Sequence, residues 1–280
     1  DDFAWSPDGR RLAVVSASRA TDRKGDDRAR RRLPEPGSGK PPASDHWFFD
    51  RLGYQVNGRG VTAGRVLQLW VVDAATGAAR LLTTLPAGVG GPAWSPDGRR
   101  IAFTTGRRRD DDLVSFARIL AVDAEDGTLT PIAEHPNGLF YGATWLPGGR
   151  EIAVLGGDHP HVFYRSDVWV FPADGSDPGG GRNLSGRHDV MPASTMNSDT
   201  TVGEDARLLP TPDGRAILFL APLDGSYEVW RIDLEDGGLA EVALVQDHLV
   251  GTKRREPLRQ AGVAAAGGLD ELVGDPGAVA

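Results

Sequence analysis

Trp5-Ser6-Pro7-Asp8-Gly9-Arg10-Arg11-Leu12-Ala13-Val14-Val15 and Trp94-Ser95-Pro96-Asp97-Gly98-Arg99-Arg100-Ile101-Ala102-Phe103 are two writings of one instruction. Degenerate copies of the pentad follow at Trp145–Gly149 and Pro210–Gly214. Proline pre-sets φ at the second turn position, aspartate tolerates the bridge region at the third, glycine suits the fourth, and serine can cap the first. The pentad therefore reads as a type I β-turn entered from its tryptophan. The runs after the turns, Leu12–Val15, Ile101–Phe103, Ile152–Leu155 and Ile217–Leu220, are too short for helices and rich in β-branched and aromatic residues. They read as strands buried on both faces.

The second half of each unit repeats as well. Leu69–Asp73, Ile119–Asp123, Val168–Phe171 and Val229–Asp233 read as further strands, and each runs into a glycine turn at Thr76-Gly77, Asp126-Gly127, Asp174-Gly175 or Asp236-Gly237. A closing strand is clear in three units, at Ala79–Thr83, Leu129–Ala133 and Leu239–Val245. Four antiparallel strands with two apolar faces make one blade, and blades stack around a channel. The expected fold is thus an all-β propeller with about four recognisable four-stranded blades, part of a larger propeller.

The motif starts at residues 5, 94, 145 and 210, giving gaps of 89, 51 and 65. A blade needs roughly 40–45 residues, so the first gap reads as one blade interrupted by an insertion. The expected division is a propeller over 1–257, with blades at 1–86 (insertion 16–64), 87–137, 138–195 and 196–250. Residues 258–280 form an Ala/Gly-rich tail, expected to be disordered or not native to the fold. A chain that opens on a turn motif and closes on such a tail is expected to be a piece of something longer.

Charge and composition narrow the function. The formal net charge of −8 argues against a nucleic-acid partner, and the absence of cysteine removes disulfides and thiolate metal sites. No apolar run approaches the roughly 18–20 residues that span a membrane. Gly37-Ser38-Gly39-Lys40 lacks the Ser/Thr and flanking elements of a phosphate loop, because Pro41 follows the lysine. His159-Pro160-His161, beside Asp158, reads as an exposed inter-strand loop rather than a metal site. The run Arg107–Asp112 is a self-compensating charged loop, and Arg19–Arg32 carries seven basic against three acidic residues within the insertion. Trp70, Trp94, Trp145, Trp169 and Trp230 recur at blade positions and read as blade-to-blade packing residues. No Gly-x-Ser-x-Gly pentad is present, since Gly37-Ser38-Gly39, Gly175-Ser176-Asp177 and Gly225-Ser226-Tyr227 all fail its spacing. No catalytic, cofactor-binding or metal-ligating residue is expected, and no cofactor.

The pattern resembles the N-terminal propeller of serine peptidases of the prolyl oligopeptidase family, in particular the acylaminoacyl-peptidase-like branch. The turn motif is shared with TolB-like and other WD-like propellers, so two further segments carry the resemblance. These are Asp50–Gly60 running into Gln68–Asp73, and Asn197-Ser198-Asp199 ahead of Tyr227–Asp233. Leu146 and Gly148 in the third motif, Pro210 in the fourth, and the tail depart from it. The resemblance implies a propeller that caps an active site and limits entry to short peptides, with the Ser-Asp-His triad in a C-terminal α/β-hydrolase domain. The partners it implies are that domain, missing from these residues, and short peptides, with acyl-enzyme hydrolysis as the whole protein's mechanism and the cytoplasm as its compartment. No triad role transfers to any residue here. The competing reading is a stand-alone TolB-like protein-binding propeller; a carbohydrate-active propeller would show repeated channel carboxylates, and none recur.

Overall fold

The computed structural model describes residues 2–18, 55–56, 60–61, 66–106, 116–158, 165–192, 207–223 and 226–242. Among them there is no helix, and four antiparallel four-stranded sheets account for nearly all pairing. In blade 1, β1 (Asp2–Trp5) and β2 (Arg11–Ser18) are followed by a small separate hairpin, β3 (Gln55–Val56) with β4 (Gly60–Val61). The blade then resumes with β5 (Val66–Asp73) and β6 (Ala79–Leu81), in the order β1-β2-β5-β6. Strand β2 pairs with β5 without a break from Arg11 opposite Asp73 to Ser18 opposite Val66. The intervening chain therefore leaves and returns at adjacent points of one sheet.

Blade 2 contains β7 (Val89–Trp94), β8 (Arg100–Thr105), β9 (Arg118–Asp123) and β10 (Leu129–Ala133). Blade 3 contains β11 (Leu139–Trp145), β12 (Glu151–Gly157), β13 (Asp167–Pro172) and β14 (Arg182–Asn183). Blade 4 contains β15 (Leu209–Pro210), β16 (Ala216–Leu223), β17 (Ser226–Asp233) and β18 (Leu239–Glu241). The third blade thus has its closing strand too, a two-residue one that pairs with Trp169 and Val170. The polar, glycine-rich run Asp177–Arg182 gives it no apolar signature.

The four motif turns share one backbone. The glycine N–H donates to the carbonyl of the first turn residue in each: Gly9 to Ser6 (2.9 Å), Gly98 to Ser95 (2.8 Å), Gly149 to Leu146 (3.0 Å) and Gly214 to Thr211 (2.9 Å). The four glycines have φ between +66° and +67°, the left-handed region that other residues enter at a cost. In three turns the side chains brace the backbone. Ser95 Oγ donates to Asp97 Oδ1 (2.6 Å), accepts from the Arg100 N–H (2.9 Å), and Asp97 Oδ1 accepts from the Arg99 N–H (3.0 Å). Ser6 with Asp8 and Thr211 with Asp213 repeat the arrangement. In the third turn Leu146 and Gly148 replace the bracing pair, yet the backbone bonds persist and Leu146 is buried instead.

Packing between blades builds the core. Three apolar clusters lie at the three junctions: Ala13, Val15, Leu69 and Val71 of blade 1 meet Ile101, Phe103, Leu120 and Val122 of blade 2. Ile119 and Ile132 of blade 2 meet Ile152, Val154 and Phe171 of blade 3. Leu155, Val168 and Val170 of blade 3 meet Ile217, Phe219 and Ile232 of blade 4. Each middle strand is buried on both faces because it serves two junctions, as the unalternating runs required. At the ends this fails: Phe3 (63% exposed) and Trp5 (54%) in blade 1, and Leu209 (58%) and Leu220 (45%) in blade 4, face solvent.

Candidate functional site

Antiparallel pairing sorts the connections to two rims. The motif turns and the glycine turns after β5, β9, β13 and β17 lie on one. The connections from β2 to β5, β8 to β9 and β12 to β13, and those between blades, lie on the other. The first rim is uniform. The second carries all the irregular lengths, and irregular loops on a rigid scaffold are where binding residues concentrate.

On that second rim, blade 3 holds an open cleft of about 420 Å³, lined by Gly157, Asp158, Arg165, Asp167, Asn183 and Arg187 among others. Its centre is Asp167, which is buried. Oδ1 accepts from Arg165 Nε (2.8 Å) and Ser185 Oγ (3.1 Å), and Oδ2 accepts from Asn183 Nδ2 (2.9 Å). Ser185 Oγ also accepts from the Val168 N–H (2.9 Å). The Arg165 guanidinium donates to the carbonyls of Ser185 (2.9 Å) and His188. Arg187 donates to the Asp236 carbonyl, and His188 Nε2 lies 2.8 Å from the Gly237 carbonyl, so that nitrogen carries the ring proton. These bonds tie the segment after β14 to β13 and to the glycine turn of blade 4.

A serine beside an aspartate invites a catalytic reading, but Ser185 is fully buried, and the hydroxyl of a nucleophile needs a base rather than a carboxylate it already serves. Blade 1 contains the same device without any carboxylate. There Thr83 Oγ1 accepts from the Leu69 N–H (2.9 Å) and donates to Gln68 Oε1 (2.9 Å). Gln68 Nε2 in turn donates to the Leu85 carbonyl, and Oε1 accepts from the Leu85 N–H. A hydroxyl that closes the end of the fourth strand onto the third is a structural lock, used twice. The cleft can present polar groups to a ligand; it has no means of bond cleavage.

The tryptophans occupy two positions rather than one. Trp94 and Trp145 begin motif turns, are buried, and lie between blades. Trp70, Trp169 and Trp230 lie mid-way along the third strand of their blades, half-buried; Trp169 Nε1 donates within its own blade to the Gly156 carbonyl (3.1 Å). Among the described residues no group of three or more His, Asp or Glu side chains is placed to hold a metal ion, and no helix is long and apolar enough to cross a membrane. His159, His161, Gly37–Lys40, Arg19–Arg32, Arg107–Asp112, Asn197–Asp199 and the tail lie outside the described residues. In Asp50–Gly60 only the backbone of β3 and the start of β4 is described.

Four stacked antiparallel blades with first strands packed side by side define a β-propeller fold. Comparison with known proteins places its likeness among peptidases. A Bacillus subtilis protein described as an uncharacterized peptidase, YuxL, is 33% identical over 108 residues, which is 39% of this chain and 15% of that protein. The solved acylaminoacyl peptidase of Pyrococcus horikoshii superposes with a TM-score of 0.54 at 17% identity, over 87% of this chain and 32% of that one. TolB from Acinetobacter baumannii gives 0.47 at 16% identity over 64% of this chain and 38% of its own, too low to weigh in the argument. No family model matches. The chain is a propeller similar to those of peptidases of the prolyl oligopeptidase family, and it spans well under half the length of the proteins it matches.

Proposed function

We propose that this chain is the substrate-access propeller of a serine oligopeptidase of the acylaminoacyl-peptidase kind. It admits short peptides to a catalytic α/β-hydrolase domain that carries the Ser-Asp-His triad, in a cytoplasmic enzyme. The observation that carries the reading is the 33% identity to a peptidase over 108 residues, which exceeds what a shared turn motif contributes. The absence of a Gly-x-Ser-x-Gly pentad from the 280 residues and the structural use of the Ser185–Asp167 pair agree with a non-catalytic role. In this role the irregular rim meets the substrate and the uniform motif rim holds the blades in register.

The test takes both the isolated chain and the gene product that carries it. The isolated chain is expected to leave acyl-aminoacyl and short-peptide chromogenic substrates intact and to resist fluorophosphonate labelling. The gene product is expected to be labelled on one serine and to hydrolyse those substrates. Turnover by the isolated chain that persists after a contaminating hydrolase is inactivated overturns the non-catalytic role. A gene product with no reactive serine overturns the peptidase reading in favour of a binding propeller.

A further inference from the structure

The three joints between blades repeat the same contacts in the same places. At the first two, the motif tryptophan of one blade donates its indole N–H to the first strand of the blade before it: Trp94 to the Ala4 carbonyl (3.1 Å), Trp145 to the Ala93 carbonyl (3.0 Å). An arginine from the start of the second strand of that earlier blade lies over the same ring, Arg11 at 4.9 Å from Trp94 and Arg100 at 4.8 Å from Trp145. At all three joints an arginine of the earlier blade also donates to the carbonyl that follows the next blade's third strand. The pairs are Arg80 with Ala124, Arg100 with Ala173 and Arg182 with Leu234.

Glycines mark the same seam. A Cβ at Gly98, Gly149 or Gly214 would lie 3.6–3.7 Å from the motif proline of the blade before, Pro7, Pro96 or Pro147. A Cβ at the second-turn glycines Gly127, Gly175 and Gly237 would meet the Leu82, Pro131 and Leu184 carbonyls of the blade before at 3.8, 2.6 and 3.0 Å.

Blade 1 has every receiving feature of such a joint and nothing seated in it. Trp5 stands at the Trp94 position and is 54% exposed, against 8% for Trp94. Ala74 holds the carbonyl equivalent to Ala124, and Gly9 and Gly77 have no neighbour within 4 Å of an added Cβ. Phe3, Trp5, Leu12, Val14, Trp70 and Val72 share this face by their register. We propose that the outer face of blade 1 seats a further blade of the same polypeptide, whose arginine lies over Trp5 and whose motif proline packs on Gly9.

A second copy of this chain does not supply those groups. The face it would offer in register is the outer face of blade 4, which keeps the proline, Pro212, but not the arginines. Ala216 stands where Arg11 and Arg100 stand, and Ala240, opposite Arg231, stands where Arg80 and Arg182 stand. Arg231 on that face is held by Asp233 (2.7 Å). The latch that joins blades 1 and 2 therefore cannot form between blade 4 and blade 1, either within one chain or between two. This inference is independent of the peptidase reading, since it concerns only how the ring is continued.

Hydroxyl-radical footprinting read by mass spectrometry at Trp5 tests it, on the isolated chain over a range of concentrations and on the longer gene product. Trp5 is expected to react freely in the isolated chain at every concentration. In the longer product its rate is expected to fall about sevenfold relative to the isolated chain, following the change from 54% to 8% exposure that separates Trp5 from Trp94. A further Trp5→Phe substitution in the longer product, removing the indole donor, is expected to lower its Tm and to leave that of the isolated chain unchanged. Protection that rises with concentration in the isolated chain assigns the face to a second copy and overturns the proposal. A Trp5 that stays reactive in the longer product, or a gene that encodes no longer product, overturns it as well.

Discussion

Replacing Trp94 by alanine and replacing Trp5 by alanine remove the same residue from the same motif, and the structure assigns them opposite consequences. Trp94 is 8% exposed and fills the junction between blades 1 and 2, with its indole N–H on the Ala4 carbonyl and the Arg11 guanidinium over its ring. Arg11 is itself fixed by the Gly98 carbonyl (2.8 Å) and by Glu125 (2.8 Å). Truncating a buried aromatic costs roughly 3–5 kcal/mol in lost burial and cavity formation. The cation–π contact adds about 0.5–1 kcal/mol and the hydrogen bond about 1 kcal/mol, partly within that figure. Trp94→Ala is therefore expected to cost about 4–5 kcal/mol. Trp5→Ala in the isolated chain leaves no cavity and is expected to cost under about 1 kcal/mol. Urea unfolding followed by far-ultraviolet circular dichroism reads both without relying on the deleted fluorophore. Pairing Trp94→Phe with Arg11→Ala in a double-mutant cycle isolates the ring–guanidinium coupling. Equal losses for Trp5→Ala and Trp94→Ala would refute the inter-blade assignment of these tryptophans.

Further outcomes follow from single sites. Gly156 has φ +144° and an added Cβ would lie 2.1 Å from the Leu139 carbonyl oxygen, so Gly156→Ala is expected to cost more than about 3 kcal/mol or to prevent folding. Gly9→Ala, at φ +66° with open space around it, is expected to cost about 1–2 kcal/mol, and a Tm comparison separates the two. Gln68→Leu strands the Leu85 N–H and carbonyl and the Thr83 hydroxyl, at a cost of about 2–4 kcal/mol by urea denaturation. The Ser95 hydroxyl and then the Arg99 N–H hold the Asp97 carboxyl below its ordinary value, and Ser6 with Arg10 and Thr211 with Arg215 do the same for Asp8 and Asp213. A lowered folded-state pKa contributes stability that is complete above the ordinary carboxylate value of about 4 and is lost as pH falls through the folded values. The unfolding midpoint is expected to decline over that acid range, and Asp97→Asn is expected to decline less steeply; identical pH profiles would contradict the bracing role.

The turn motif was legible in sequence because its backbone demand is met by residue types with narrow φ preferences, and all four copies close the same hydrogen bond even where Leu146 and Gly148 replace the bracing pair. The middle strands were legible because burial on two faces leaves an unbroken apolar run. Strand β14 was not, because two residues pairing through backbone alone need no particular side chain. The first strands carried a second hidden feature: β7 and β11 both shift register, between Gly90 and Ala93 and between Tyr141 and Thr144, at glycines of φ +60° and +63°. Gly91 and Gly142 recur at one offset from the motif tryptophan, which is the signal that exposes the bulge. The joints were half legible. The tryptophan and the second arginine of the motif are visible, but that they meet across blades, Arg11 on Trp94 and Arg100 on Trp145, depends on stacking that one unit's sequence does not encode. The cleft was invisible, because Asp167, Asn183 and Ser185 come together only when β14 pairs with β13.

The access role is tested most directly by the length dependence of hydrolysis in the gene product that carries this propeller. Values of kcat/KM are measured on a ladder from acylated dipeptides to an unfolded polypeptide bearing the same cleavage site. The account predicts a steep fall with length, expressed in KM and in exclusion of the polypeptide, with the chemistry on the shortest substrates unimpaired. Cleavage of the polypeptide as efficient as that of the dipeptide would contradict it.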